Sequence, residues 1–312
     1  MDEARQASAQ PSGGMQYLQQ DRAYLLQSRG VIRLRGEQAS QALQPLVASS
    51  LNDGASCPVL TFVLDEEDYL VADLFVVSHG GNLLLECERS CIAALLELLL
   101  PDCEAQDVIA EDVSDQWRVF AELPDQNTFE DGTPYIKYTD PRRHMGCRLL
   151  RPASAPRSSQ WGSDIKWAGH AFKLGFLPGA GLVRDMPVNP LEAGLHAIGA
   201  LDPDRLSPGL REAMMSPGDK IARRILPMRV EPNSISFPDM TGLPVTASGT
   251  EIGTVLGHLG LYALVLTEIA SWRDALRGGR SLRCADQTVL ITWPSWLAQE
   301  SRGRGGPVAM AD

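Results

Sequence analysis

The last quarter of the chain changes its pattern in a way that leaves few folds open. After Ile225 come ILPMRVE, LPVTAS, TEIGTVLG, YALVLTEI and TVLITW, short apolar and β-branched runs with turns between them. Only SWRDALRGG at 271–279 interrupts the series with a helical pattern. Strands this short and this closely spaced leave sheet edges open unless the sheet closes on itself. The spacing therefore predicts a small β-barrel over residues 226–299.

The region before it reads differently. RGVIRLRG at 29–36 alternates like a strand, and GEQASQALQPLVASSL at 36–51 places Ala39, Leu43, Leu46 and Val47 on one helical face. Pro45 cannot donate a backbone hydrogen bond, so a kink or a helix start is expected near it. VLTFVL (59–64) and YLVADLFVV (69–77) flank the acidic turn DEED and read as a hairpin. LLLEC (83–87) is a further strand after the turn SHGGN, and RSCIAALLELLL (89–100) has the leucine content of a half-buried helix. VIAEDV and WRVFAEL complete a strand, helix, hairpin, strand, helix, strand order. That order predicts an α+β fold with a largely antiparallel sheet. Residues 151–164 read as a loop, and 186–220 carry Pro and Gly too often for a long element. GFLPGAG at 175–181 lacks the strand–GxGxxG–helix context of a dinucleotide site and reads as a turn. The expected layout is a tail at 1–16, an α/β region at 17–225 in two subdomains split near 120–150, the barrel, and a tail at 300–312.

Charge and cysteine content limit the function. The 312 residues carry 28 Lys and Arg against 39 Asp and Glu, a net charge of −11. Such a surface repels phosphate backbones, so no nucleic-acid partner is predicted. Six cysteines form no CxxC pair, and Cys87 and Cys91 lack a second pair to complete a zinc site. No metal is predicted, and reduced thiols are expected. No apolar run reaches the length of a membrane span. The first residues carry acids and resemble neither a signal peptide nor an Arg-rich transit peptide.

Four stretches, taken in order, resemble one family. GEQASQALQPLVASSLND (36–53), YLVADLFVV, DPRRHMGCRLL (140–150) and KLGFLPGAGLVRDMPVNPLEAGL (173–195) are similar to segments of YgfZ/glycine-cleavage T-protein-like folate-binding proteins. The Asp-Pro-Arg element resembles the branch of the mitochondrial iron–sulfur assembly factors. The resemblance implies two α/β units around a central hole, with a β-barrel behind. It also implies a hole able to hold tetrahydrofolate, iron–sulfur proteins as partners and a mitochondrial matrix location, with a cytoplasmic location as the alternative. The candidate ligand-binding residues it points to are Asp73, Glu192, Arg148, Asn52 and Asp53. Each has a structural alternative. Asp73 closes a strand, Glu192 caps the segment after Pro190, Arg148 pairs with Asp140, and Asn52 and Asp53 end a helix.

That branch carries a Lys-Gly-Cys-Tyr-x-Gly-Gln-Glu signature shortly after the Pro-Leu-Glu segment. The best placement here is RLSPGLRE, with Arg205 for the lysine, Ser207 for the cysteine and Glu212 for the glutamate. A serine hydroxyl is neither a good nucleophile at neutral pH nor a soft ligand for iron. Cys147, inside the Asp-Pro-Arg element, is the nearby thiol by motif, and packing is its expected role. No intact catalytic motif remains. Three readings stand: an iron–sulfur maturation factor that has lost its signature cysteine, a non-catalytic structural subunit of a large mitochondrial complex, and an aminomethyltransferase.

Overall fold

The computed structural model describes residues 23–51, 58–124, 132–156, 161–183, 186–216, 221–231 and 239–297. The chain enters as a short strand, β1 (Ala23–Leu25), and turns at once into β2 (Arg29–Arg35). These neighbours go to different sheets. β2 joins β3 (Val59–Leu64), β4 (Leu70–His79), β5 (Asn82–Glu88) and β6 (Ile109–Asp112) in an antiparallel sheet ordered β3-β4-β5-β2-β6. β1 joins β7 (Trp117–Glu122), β8 (Ile136–Thr139), β9 (Cys147–Pro152) and β10 (Trp161–Ser163) in a second sheet, ordered β10-β1-β7-β9-β8. Only the β1–β10 pair is parallel in it. The turn at Leu26–Ser28 thus ties the two sheets together, with Leu26 N–H on Val119 O at 2.9 Å and Arg89 N–H on Ser28 O at 2.8 Å.

The first sheet is buried on both faces, which is why its strands read as nearly continuous apolar runs. Side chains alternate along a strand. In β4, Ala72, Leu74 and Val76 pack with the helices, while Phe75 and Val77 face the core shared with the second sheet and barrel. Asp73 sits two residues from Phe75 and so points the same way. Glu86 falls in register with Phe75 and Val31. Alternation alone brings charges to the inner face.

The helices depart from the sequence expectation in four places. The helix expected over 36–51 is only α1 (Ala39–Leu43), followed by a 3₁₀ turn at Gln44–Leu46. Pro45 supplies no N–H to continue the ladder, and the Gln44 side chain takes over, accepting Leu51 N–H at 2.7 Å and donating to Ser49 O at 3.0 Å. The next helix does not stop at residue 100. After a 3₁₀ turn, α2 runs Ile92–Ala105 with Pro101 inside it. Pro101 and Glu97, whose carbonyl loses its partner, are both exposed, so water can satisfy that carbonyl. Two helices lie where none was expected. α3 (Asp164–Leu174) ends at Gly175, whose φ of 83° and 2.8 Å approach of an added Cβ to Pro227 both require glycine. α4 (Pro208–Met215) lies in the Pro/Gly-rich stretch.

The barrel is closed and six-stranded. β11 (Arg223–Glu231), β12 (Pro244–Ala247), β13 (Thr250–Leu259), β14 (Tyr262–Glu268), β15 (Leu282–Cys284) and β16 (Gln287–Ile291) are ordered β11-β14-β13-β12-β15-β16, with β16 returning to β11. A helix set among its strands, α5 (Ile269–Arg277), brings Trp272 to 6.0 Å from Trp293. Its core is Leu226, Met228, Val230, Val245, Val255, Val265 and Ile291. Trp296 docks the barrel on the α/β part. It stacks on Phe176 at 4.3 Å and donates its indole N–H to Leu174 O at 2.8 Å.

Candidate functional site: a buried charge cluster between the sheets

Six charged side chains meet where the two sheets and the 176–180 loop come together. Arg29 from β2 lies 2.8 Å from both Asp73 of β4 and Glu86 of β5. Arg148 from β9 reaches across the sheets to the same Glu86 oxygen at 2.8 Å, and to Asp140 at 3.3 Å. Arg142 forms a two-pronged pair with Asp140, at 2.9 and 2.6 Å, and donates to Leu177 O at 2.7 Å. Three cations match three carboxylates, and all six are at most 5% exposed. The Tyr138 hydroxyl donates to the second Glu86 oxygen, and Ala180 N–H donates to the second oxygen of Asp73 at 2.9 Å.

Aromatic faces complete the packing. The Arg148 guanidinium lies 4.6 Å from the Phe75 ring centroid and 4.4 Å from that of Trp167 on α3. A planar, weakly hydrated cation suits such a slot better than an ammonium would. The electrostatics follow. Burial would raise the Asp73 carboxyl, but Arg29, the Ala180 N–H, Arg142 and Arg148 outweigh it and hold it below the usual carboxylate range. Burial acts the same way on Asp140, where Arg142 and Arg148 prevail. Burial and the Glu86 carboxylate push the Tyr138 phenol well up. The thiol of Cys87, behind the cluster, is also pushed up by burial, so it is not a thiolate at neutral pH.

The structure brings two of the sequence candidates, Asp73 and Arg148, into one cluster, though through Arg29 and Glu86 rather than in direct contact. The others lie elsewhere. Glu192 pairs with Arg223 at 2.7 Å and accepts Asn189 N–H at 3.0 Å. Asn189 in turn accepts Leu191 and Glu192 N–H, both at 2.9 Å. That reciprocal pattern is a capping box. Asn52 and Asp53 lie outside the described residues. Of the residues aligned with the expected signature, Arg205 donates to the carbonyls of Val47 and Gln44. Ser207 caps α4 by accepting Leu210 N–H at 3.3 Å, and its hydroxyl donates to Asp68. Glu212 is exposed on α4. Cys147 is half-buried in β9, in register with Glu122 and Thr139. Among the described residues, no group of three His, Cys, Asp or Glu side chains is placed to hold a metal.

The sequence reading missed Arg29, Glu86, Tyr138 and Arg142. The signal was a charge inside each apolar strand: Arg29 opening GVIRL, Glu86 within LLLEC, Arg148 before LLR. A charge at an inward position of a strand buried on both faces needs a partner from another strand.

An α/β pair of sheets with a closed barrel docked on it, around a polar centre, defines a class, and known proteins share it. Glycine cleavage system aminomethyltransferase T from Bartonella henselae matches with a TM-score of 0.61 over 90% of this chain and 88% of that one, at 12% identity, a likeness in fold. Residues 223–299 match the family model of the CAF17 C-terminal beta-barrel domain. No curated protein sequence matches the chain. The chain thus joins a T-protein-like fold to a C-terminal barrel similar to the CAF17 one over residues 223–299.

Proposed function

We propose that this protein is an accessory factor in iron–sulfur protein maturation, acting through binding and not through chemistry of its own, in the mitochondrial matrix. The observation that carries the reading is the CAF17-type barrel at 223–299, joined to an aminomethyltransferase-like fold. The absence of a signature thiol agrees with a binding role, since Ser207 is occupied as a helix cap.

Tetrahydrofolate, which the fold family implies, does not fit the centre as its residues stand. A pterin ring needs a carboxylate with free lone pairs for its adjacent N–H groups. Asp73 is 3% exposed, with one oxygen against Arg29 and the other accepting Ala180 N–H, so its remaining lone pairs are buried behind these partners. Glu86 is engaged by Arg29, Arg148 and Tyr138. The Arg148 slot between Phe75 and Trp167 is filled by the guanidinium itself. An aminomethyltransferase reading therefore has no support here beyond the fold.

The charge balance of the centre, three arginines against three carboxylates, favours a second reading, a structural subunit of a large assembly. Deletion of the gene tests the first. Activity of [4Fe–4S] enzymes is expected to fall while their polypeptides persist; unchanged activity rejects the maturation role. Recovery of the protein in fixed stoichiometry with a large complex would support the subunit reading.

A further inference from the structure

The chain's negative charge is unevenly placed. Residues 36–117 hold sixteen Asp and Glu against one base, Arg89, a net −15; the other residues hold 23 against 27, a net +4. Arginines from outside that stretch match three of the sixteen: Asp73 and Glu86 at the seam, and Glu111 through Arg33. Arg89 turns its guanidinium to the carbonyls of Arg29 and Ser114, at 2.9 and 3.3 Å.

An open groove of about 600 Å³ lies on this acidic part of the molecule, between α2, the start of β4 and residues 186–187. Leu95 and Leu98 line it from α2, Tyr69 and Val71 from the β3–β4 turn and β4, and Met186 from the third side. Leu98 is 48% exposed, so the groove opens an apolar strip to water instead of closing over it. The walls are held in place. Leu70 N–H donates to Val188 O at 2.9 Å, and Asp65, which also lines the groove, accepts Glu67 and Tyr69 N–H at 3.1 and 2.7 Å. Acids stand around it. Asp65 begins the DEED turn, and Asp102, one helical turn beyond Leu98, shares its side of α2. Among the described residues, the four turn acids and Asp102 make no ion pair, and no Lys or Arg lines the groove.

We propose that this groove docks a basic amphipathic segment of a partner protein. Its apolar side chains seat against Leu98, Val71 and Met186, and its Lys or Arg side chains lie over the surrounding acids. Apolar burial supplies the affinity, and opposite charge supplies encounter rate and orientation. A symmetric contact between two copies would instead set these acids against each other. This docking role is independent of the maturation reading.

The test uses the full chain and fluorescence anisotropy of a labelled helical peptide of about fifteen residues, leucines on one face and lysines on the other. Saturable binding is expected. A peptide with serine for leucine should bind at least tenfold more weakly, and one with glutamate for lysine should not bind. Leu98→Asp should weaken binding about tenfold although it adds an acid, because the apolar contact is lost. Glu66→Lys with Asp102→Lys should weaken it about as much, and provides the second measure should Leu98→Asp melt early. Leu290→Asp, at an exposed leucine of the barrel, should leave affinity unchanged. Full affinity in Leu98→Asp would mean charge attraction alone and overturns the proposal, as does equal weakening by Leu290→Asp. Self-association of the chain that Leu98→Asp abolishes, read by sedimentation, would put a second copy in the groove and overturns it too.

Discussion

The two halves of the molecule are held together by opposite means. The barrel core is hydrocarbon: Leu226, Met228, Val255, Val265 and Ile291 are each at most 1% exposed. The seam between the sheets is equally dry but is built from Arg29, Asp73, Glu86, Asp140, Arg142 and Arg148. A hydrocarbon core tolerates the loss of one member by relaxing around a cavity. A buried ionic core does not, because removing one ion leaves its partners charged, buried and unpaired. The difference teaches where the fold is plastic and where it is all-or-none.

The largest effect is therefore expected at the seam. Arg148→Met keeps an apolar body between Phe75 and Trp167 but leaves three buried carboxylates with two cations, Glu86 keeping Arg29 and Asp140 keeping Arg142. It should cost about 3–5 kcal/mol in urea unfolding of the full chain. Leu226→Ala in the barrel should cost about 2–4 kcal/mol, with the change in midpoint following cavity size. A seam variant that costs less than the barrel one would break the comparison and show that water reaches the ions.

Acid should separate the halves without mutation. Asp73 and Asp140 titrate lower folded than unfolded, because their arginine partners outweigh burial. Their stabilisation is complete above the ordinary carboxylate range and is lost as pH falls below it toward the folded values. Among the described residues, the buried polar ones of the barrel are Arg224, Thr267 and Gln287, with no carboxylate among them. Hydrogen exchange at pH 3 should accordingly deprotect β2, β4, β5 and β9 before β11 and β14. Simultaneous loss would mean that the barrel depends on the seam for its own stability.

Legibility in the sequence divides along the same line. The barrel was readable because alternation and turn spacing are local, and the hairpin of β3 and β4 was readable for the same reason. The seam was not, since its six charges come from β2, β4, β5, β9 and the loop after β8, and only the topology makes them neighbours. Only the pairs of Asp140 with Arg142 and with Arg148, two and eight residues away, were within reach of a local reading, and the second alone was named. α3 and α4 were missed although their ends carry signals: Ser207-Pro208 as cap and first helical residue, Gly175 as the stop.

The smallest effect concerns Ser207, and it bears on function as well as stability. Ser207 supplies the α4 cap and donates to Asp68, joining the 202–216 stretch to the acidic β3–β4 turn. Ser207→Ala should lower stability by about 1 kcal/mol, read as a shifted urea midpoint with an unchanged slope. Ser207→Thr, which keeps the cap oxygen, should recover most of it. If Ser207 is a cap and nothing more, Ser207→Ala supports [4Fe–4S] enzyme activity as well as the natural chain does. A loss of that support at nearly unchanged stability would instead show that this hydroxyl takes part in the protein's work.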